Sequence, residues 1–174
     1  MYDYEESGIV LRFPTEDFIP LDKTREFKAI STHHVKAVDI VYYQRESHTM
    51  VFIELKNFLS EKKSGDITSK DYTTELQKKS ADSLLMMLSL FDGYDYMKNL
   101  HSTINPLQQG NPRFEFIHIM KVSNNQVPYV SAMSDNFRNK FAGIAKLFSI
   151  DHYMVITQRE ANTVLHRYGI EYRD

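Results

Sequence analysis

Asp39, Glu54 and Lys56 bring two carboxylates and one ammonium into strongly apolar text, AVDIVYY and FIELKNF. Both runs are rich in β-branched and aromatic residues, and the polar stretch QRESHT separates them, which is the signature of a β-hairpin. A turn centred between Glu46 and Ser47 sets Asp39 opposite Glu54. The same register pairs Val41 with Phe52 and Tyr43 with Met50 on that face. On the other face it pairs Val38 with Leu55, Ile40 with Ile53 and Tyr42 with Val51. Every neighbouring pair is apolar, so both faces are expected to be buried. Lys56 falls two residues beyond Glu54, on the face that carries the two acids.

Two carboxylates about 5 Å apart in a poorly hydrated setting repel each other, and each raises the proton affinity of the other unless a cation lies between them. Oxygen ligands of this kind suit a hard divalent ion such as Mg²⁺, which keeps positions open for water and phosphate oxygen. The plainer alternative is a buried ion pair between Lys56 and one of the acids in an ordinary hairpin.

The elements that must position this trio follow from periodicity. Gly8 to Phe13 reads as a short strand closed by Pro14, and Glu26 to Ser31 as another. After the hairpin, Asp71 to Phe91 forms a long helix with Tyr72, Leu76, Leu84, Met87 and Phe91 along one side; Gly93 stops it, and the segment LLMMLSLF is expected to be deeply buried. Residues 93–113 carry Gly, Asn and Pro punctuation and are expected to form a long connection or lid. FEFIHIMKV is a strand, Ser134 caps a helix bearing Phe137, Phe141, Ile144 and Phe148, HYMVIT is a further strand, and Arg159 to Tyr168 forms a closing helix ended by Gly169. This order implies an α/β fold with a mixed central β-sheet flanked by helices.

With those elements in place, the chain resembles the PD-(D/E)XK, or restriction-endonuclease-like, nuclease superfamily. Its core has an Asp on one strand, (D/E)XK on the next, then a helix and another strand. AVDIVYY, FIELKNF, the helix from Asp71 and FEFIHIMKV carry the likeness over roughly residues 26–122. The family's usual Pro before the Asp is Val38 here. The resemblance implies that Asp39, Glu54 and the backbone carbonyl of Leu55 ligate Mg²⁺ or Mn²⁺, while Lys56 orients or helps activate the attacking water. It also implies a further acid from an upstream helix, for which Glu26 and then Glu16 are the nearest candidates. A polar residue on the following helix would be Gln77 or Lys79. The activity implied is metal-dependent hydrolysis of phosphodiester bonds in nucleic acid, DNA before RNA, in restriction, repair or defence. A non-catalytic binding or assembly subunit of the same fold, within a nucleic-acid-processing complex, is the competing expectation.

Composition bounds these readings. A chain of 174 residues, 42% apolar and 25% charged, is sized for a single domain spanning 1–174. Cysteine is absent, which excludes disulfides, thiolate zinc sites and cysteine nucleophiles. No run approaches the roughly 20 apolar residues of a membrane span, so no membrane contact and a cytoplasmic location are expected. A net charge of −2 gives no global attraction to phosphate, leaving nucleic-acid contact to local features such as Lys62, Lys63, Lys70, Lys78 and Lys79. Cutting both strands of a duplex commonly uses two sites, so a homodimer fits this reading. His33 and His34 read as a solvated approach to the Asp39 strand.

Overall fold

The computed structural model describes residues 1–59, 70–92 and 112–173. Eight strands and four helices alternate along them: β1 (Tyr2–Glu6), β2 (Ile9–Phe13), β3 (Phe18–Ile19), α1 (Arg25–Ser31), β4 (Ile40–Gln44), β5 (Thr49–Asn57), α2 (Lys70–Phe91), β6 (Arg113–Lys121), α3 (Val127–Leu147), β7 (His152–Thr157), α4 (Gln158–Leu165) and β8 (Glu171–Arg173). The expected lid at 93–113 lies outside the described residues except for its last two positions, and Arg113 opens β6.

A five-stranded sheet in the order β3-β4-β5-β6-β7 forms the centre of the fold. Its first three strands are antiparallel neighbours, and β5, β6 and β7 run parallel. The mixed sheet flanked by helices is therefore as the periodicity predicts. On one face Val41, Tyr43, Met50, Phe52, Phe116 and Met120 pack against Leu76, Leu84 and Met87 of α2 and Phe137 and Phe141 of α3. On the other face Ile40, Tyr42, Val51, Ile53, Leu55, Ile117 and Ile119 meet a second sheet, β1-β2-β8, together with Ala161 and Leu165 of α4. Burial on both faces explains why Ile40–Tyr43 of β4 and Met50–Ile53 of β5 are apolar without interruption.

The hairpin register is the expected one, with Ile40 against Ile53, Val41 against Phe52, Tyr42 against Val51 and Tyr43 against Met50. The ladder ends at Ile40, one residue short of Asp39. The Asp39 carbonyl instead accepts the Leu21 N–H at 2.9 Å, from a short 3₁₀ turn spanning Leu21–Lys23. Val38 consequently joins the α2 side of the core rather than pairing with Leu55.

Four local expectations are corrected. Residues 25–31 form a helix, not a strand: Thr24 caps it, its hydroxyl accepting the Phe27 N–H at 3.2 Å, and a short capped turn of this kind shows no period. Helix α3 starts at Val127, with Pro128 in its first turn, so Ser134 lies inside the helix, where its hydroxyl accepts the Val155 N–H at 3.4 Å. Leu85, inside the segment expected to be buried all round, is 61% exposed, whereas Leu84, Met86, Met87 and Leu90 are core. The closing α-helix ends at Leu165, short of the expected Tyr168, and a 3₁₀ turn, His166–Tyr168, carries the chain to Gly169, whose φ of 70° is the left-handed conformation glycine adopts without strain.

Candidate functional site

Asp39 and Glu54 converge where β4 begins and β5 nears its carboxyl end. One Asp39 carboxylate oxygen accepts the backbone N–H of Leu55 at 2.6 Å, which pins the carboxylate beside β5 just beyond the last ladder pair. An extended residue directs its N–H and C=O to the same side, so the Leu55 carbonyl also faces the Asp39 edge. Glu54 projects to the α2 side of the sheet and is 2% exposed; Asp39 is 7% exposed.

The cation that meets these acids is Lys79, from the middle of α2. Its ammonium lies 2.5 Å from Glu54 Oε1. Lys56, two residues along the face of Glu54, is half-buried with its Nζ 6.0 Å above the Phe58 ring. Gln77 points elsewhere: its amide donates to the Lys140 carbonyl of α3 at 3.1 Å. Lys78 pairs with Asp82 at 2.8 Å, and Lys62 and Lys63 lie outside the described residues. Glu26 is buried in the first turn of α1, and Glu16 is exposed. The acids whose charge is felt at Asp39 are instead Asp22 and Glu6.

Asp22 belongs to the 3₁₀ turn whose Leu21 N–H is bound to the Asp39 carbonyl, and one of its carboxylate oxygens is buried without a hydrogen-bond partner among the described residues. Glu6 ends β1 and pairs with Lys23 at 2.8 Å. The turn after Glu6 is fixed against the sheet by Asn57, whose side chain donates to the Ser7 carbonyl at 2.9 Å. Neither acid stands out in sequence, because each lies in a short element without a period, and only the tertiary contact with Asp39 marks it.

His118 is a further buried polar group that the strand pattern does not single out. It is the β6 neighbour of Glu54 on the same face and is fully buried. Ser80 has one hydroxyl proton, which goes to the Leu76 carbonyl at 2.9 Å. The 3.1 Å contact between Ser80 Oγ and His118 Nε2 is therefore an Nε2–H donating to Ser80, and the Nδ1 lone pair has no partner among the described residues. The signal available was a lone histidine among the inward residues of FEFIHIMKV.

Burial sets the electrostatics. Glu54 is pushed well above the ordinary glutamate value by desolvation and then by Asp39, with Lys79 pulling the other way. Desolvation raises Asp39 to about 6, opposed by Lys79 and by the Leu55 N–H. Desolvation works against the charge on Lys79, yet Glu54 outweighs it and holds the ammonium above the usual lysine value. His118 is lowered to about 3 by burial and then by Lys79, so its ring is neutral.

A divalent ion can be tested against this arrangement. The available donors are all oxygen: the Asp39 carboxylate, Glu54 Oε2, which is buried with no hydrogen-bond partner among the described residues, and the Leu55 carbonyl. Mg²⁺ is commonly held by one or two carboxylates with water completing its shell, so the donor chemistry fits. Among the described residues no three His, Cys, Asp or Glu side chains are grouped closely enough to hold a metal by themselves. Asp22 is near enough to raise Asp39 electrostatically without completing such a group. Among the described residues no helix is long and apolar enough to cross a membrane. Comparison of the chain with protein-family models, with curated proteins and with solved structures finds no match.

Proposed function

We propose that this protein is a Mg²⁺- or Mn²⁺-dependent nuclease with a restriction-endonuclease-like core, hydrolysing phosphodiester bonds in DNA in preference to RNA. The observation that carries the reading is the pair of buried carboxylates, Asp39 held by the Leu55 N–H and Glu54 one residue before Leu55, with Glu54 Oε2 lacking any hydrogen-bond partner among the described residues. Burying two carboxylates together is unfavourable unless a cation offsets them, and a single ammonium leaves the pair one charge short. An antiparallel hairpin, a helix and a parallel strand follow one another in the order the resemblance implies, which supports the core assignment.

Asp39, Glu54 and the Leu55 carbonyl would hold the ion. When bound, it would offset negative charge on the phosphate and lower the pKa of water. The chain's own contribution is to fix the carboxylates: the Leu55 N–H orients Asp39, and the strand register orients Glu54. Lys56, on the face of Glu54, is assigned to the scissile phosphate, where an ammonium is attracted to accumulating charge. The expected outcome is cleavage of DNA that requires Mg²⁺ or Mn²⁺ and stops in EDTA. Lys56→Ala should lower the rate by about 10²-fold, the scale for losing one stabilising donor. Cleavage that persists at the wild-type rate in folded Glu54→Ala and Lys56→Ala proteins would refute the assignment.

A second reading has one specific observation in its favour. Lys79 already partners Glu54, as in a charge-compensated structural core, and this suits a non-catalytic binding or assembly subunit of a nucleic-acid-processing complex. Calorimetry separates the two, because absence of Mn²⁺ binding by the wild-type protein selects the second.

A further inference from the structure

We propose that the Lys79 ammonium is the resident counter-ion of the Asp39–Glu54 site, held where a divalent cation would act and displaced from Glu54 when that cation binds. This rests on the metal-binding reading above and adds a competition that the reading does not require.

Three observations carry it. Lys79 reaches the site from α2, a different element from either acid, and only 19% of its side chain is exposed. Its ammonium touches one oxygen of Glu54, while the second oxygen is buried without a donor among the described residues. Its charge acts on Glu54, Asp39 and Asp22 alike, so one monovalent group serves several carboxylates. An ion pair selected only for stability would be expected to leave no buried carboxylate oxygen unsatisfied, because an unmet buried acceptor is costly. The deficit on Glu54 instead marks a site compensated in part.

A divalent ion on Glu54 and an ammonium 2.5 Å from the same carboxylate would repel strongly in so dry a setting. One must move. The lysine stem has four rotatable carbons and carries a compact charge, so Lys79 can withdraw while the strand-borne acids cannot.

The test is Mn²⁺ titration calorimetry on the full chain, wild type against Lys79→Met and Lys79→Gln, with melting temperatures measured without metal and at saturating Mn²⁺. Both variants are expected to bind Mn²⁺ at least about tenfold more tightly than wild type, since a competing positive charge has gone. They should also melt lower than wild type without metal and gain more from Mn²⁺. If Lys79→Met folds only when Mn²⁺ is present, that rescue supports the proposal, and Lys79→Gln supplies the affinity. Wild-type binding with equal or weaker affinity in the variants overturns the counter-ion role while the metal reading stands. Absence of Mn²⁺ binding by all three proteins overturns both.

Discussion

Glu54→Ala is expected to abolish metal-dependent cleavage and to lower folding stability by about 3 kcal/mol, the low end of the cost of breaking a buried ion pair. The two effects have separate origins. Cleavage is lost because Glu54 is one of only two carboxylates at the proposed ion site. Stability is lost because Lys79, buried over most of its length, no longer has an anion 2.5 Å away. Asp39 remains close enough to act on Lys79 and offsets part of the penalty. Removing Glu54 also relieves its repulsion with Asp39, which works in the same direction. Urea unfolding of the metal-free proteins checks the second effect. A stability equal to or above that of wild type would mean that the Lys79–Glu54 contact is not a net stabilising pair. Glu54→Gln separates shape from charge: it should fold better than Glu54→Ala and cleave no better.

The second large effect concerns His118 and pH. Its folded pKa of about 3 lies below the ordinary value of 6.5, so the unfolded chain binds the extra proton over that interval and the folded chain does not. The sign follows from linkage: the stability contributed by the neutral ring is fully present above about pH 6.5 and is lost as pH falls toward 3. At up to about 1.4 kcal/mol per pH unit, tapering near each pKa, the loss between pH 6.5 and pH 3 comes to roughly 4 kcal/mol. Asp39 and Glu54 titrate in the opposite sense. Their folded values are raised, so protonating them favours the folded state as pH falls from the folded values toward the unfolded ones. Wild-type stability therefore combines opposed trends, and the informative quantity is the difference from His118→Asn. That difference is expected to shift in favour of the variant by roughly 4 kcal/mol between pH 6.5 and pH 3, measured by denaturant unfolding at each pH. A difference that stays constant across the interval would show that His118 is protonated in the folded protein.

The hairpin was legible because its alternatives were poor. Shifting the register by one residue would set inward-facing residues of one strand beside outward-facing residues of the other, whereas the observed pairing joins Val41 with Phe52 and Tyr43 with Met50 on the α2 face. Helix α2 was legible through the spacing of Leu76, Leu84 and Met87, all of which are buried. What was not legible lacked period. Strands β1, β3 and β8 span 5, 2 and 3 residues, and helix α1 spans 7, too few for alternation to stand out from chance. The missed site residues follow from the same cause. Asp22 matters through its turn's bond to the Asp39 carbonyl, and Glu6 through a β-turn resting on Asn57. Neither contact leaves a mark in the local sequence. Lys79, one of two candidates on α2, is distinguished from Gln77 only by helix rotation: Lys79 meets the sheet, and Gln77 meets α3.

Whether Asp39 and Glu54 form a divalent-cation site is decided by anomalous scattering from a crystal soaked in Mn²⁺. One strong peak is expected between the Asp39 and Glu54 carboxylates, within coordination distance of the Leu55 carbonyl, with Lys79 withdrawn from Glu54. A well-ordered structure with no peak there, and with Lys79 still seated on Glu54 at saturating Mn²⁺, would contradict the divalent-cation assignment.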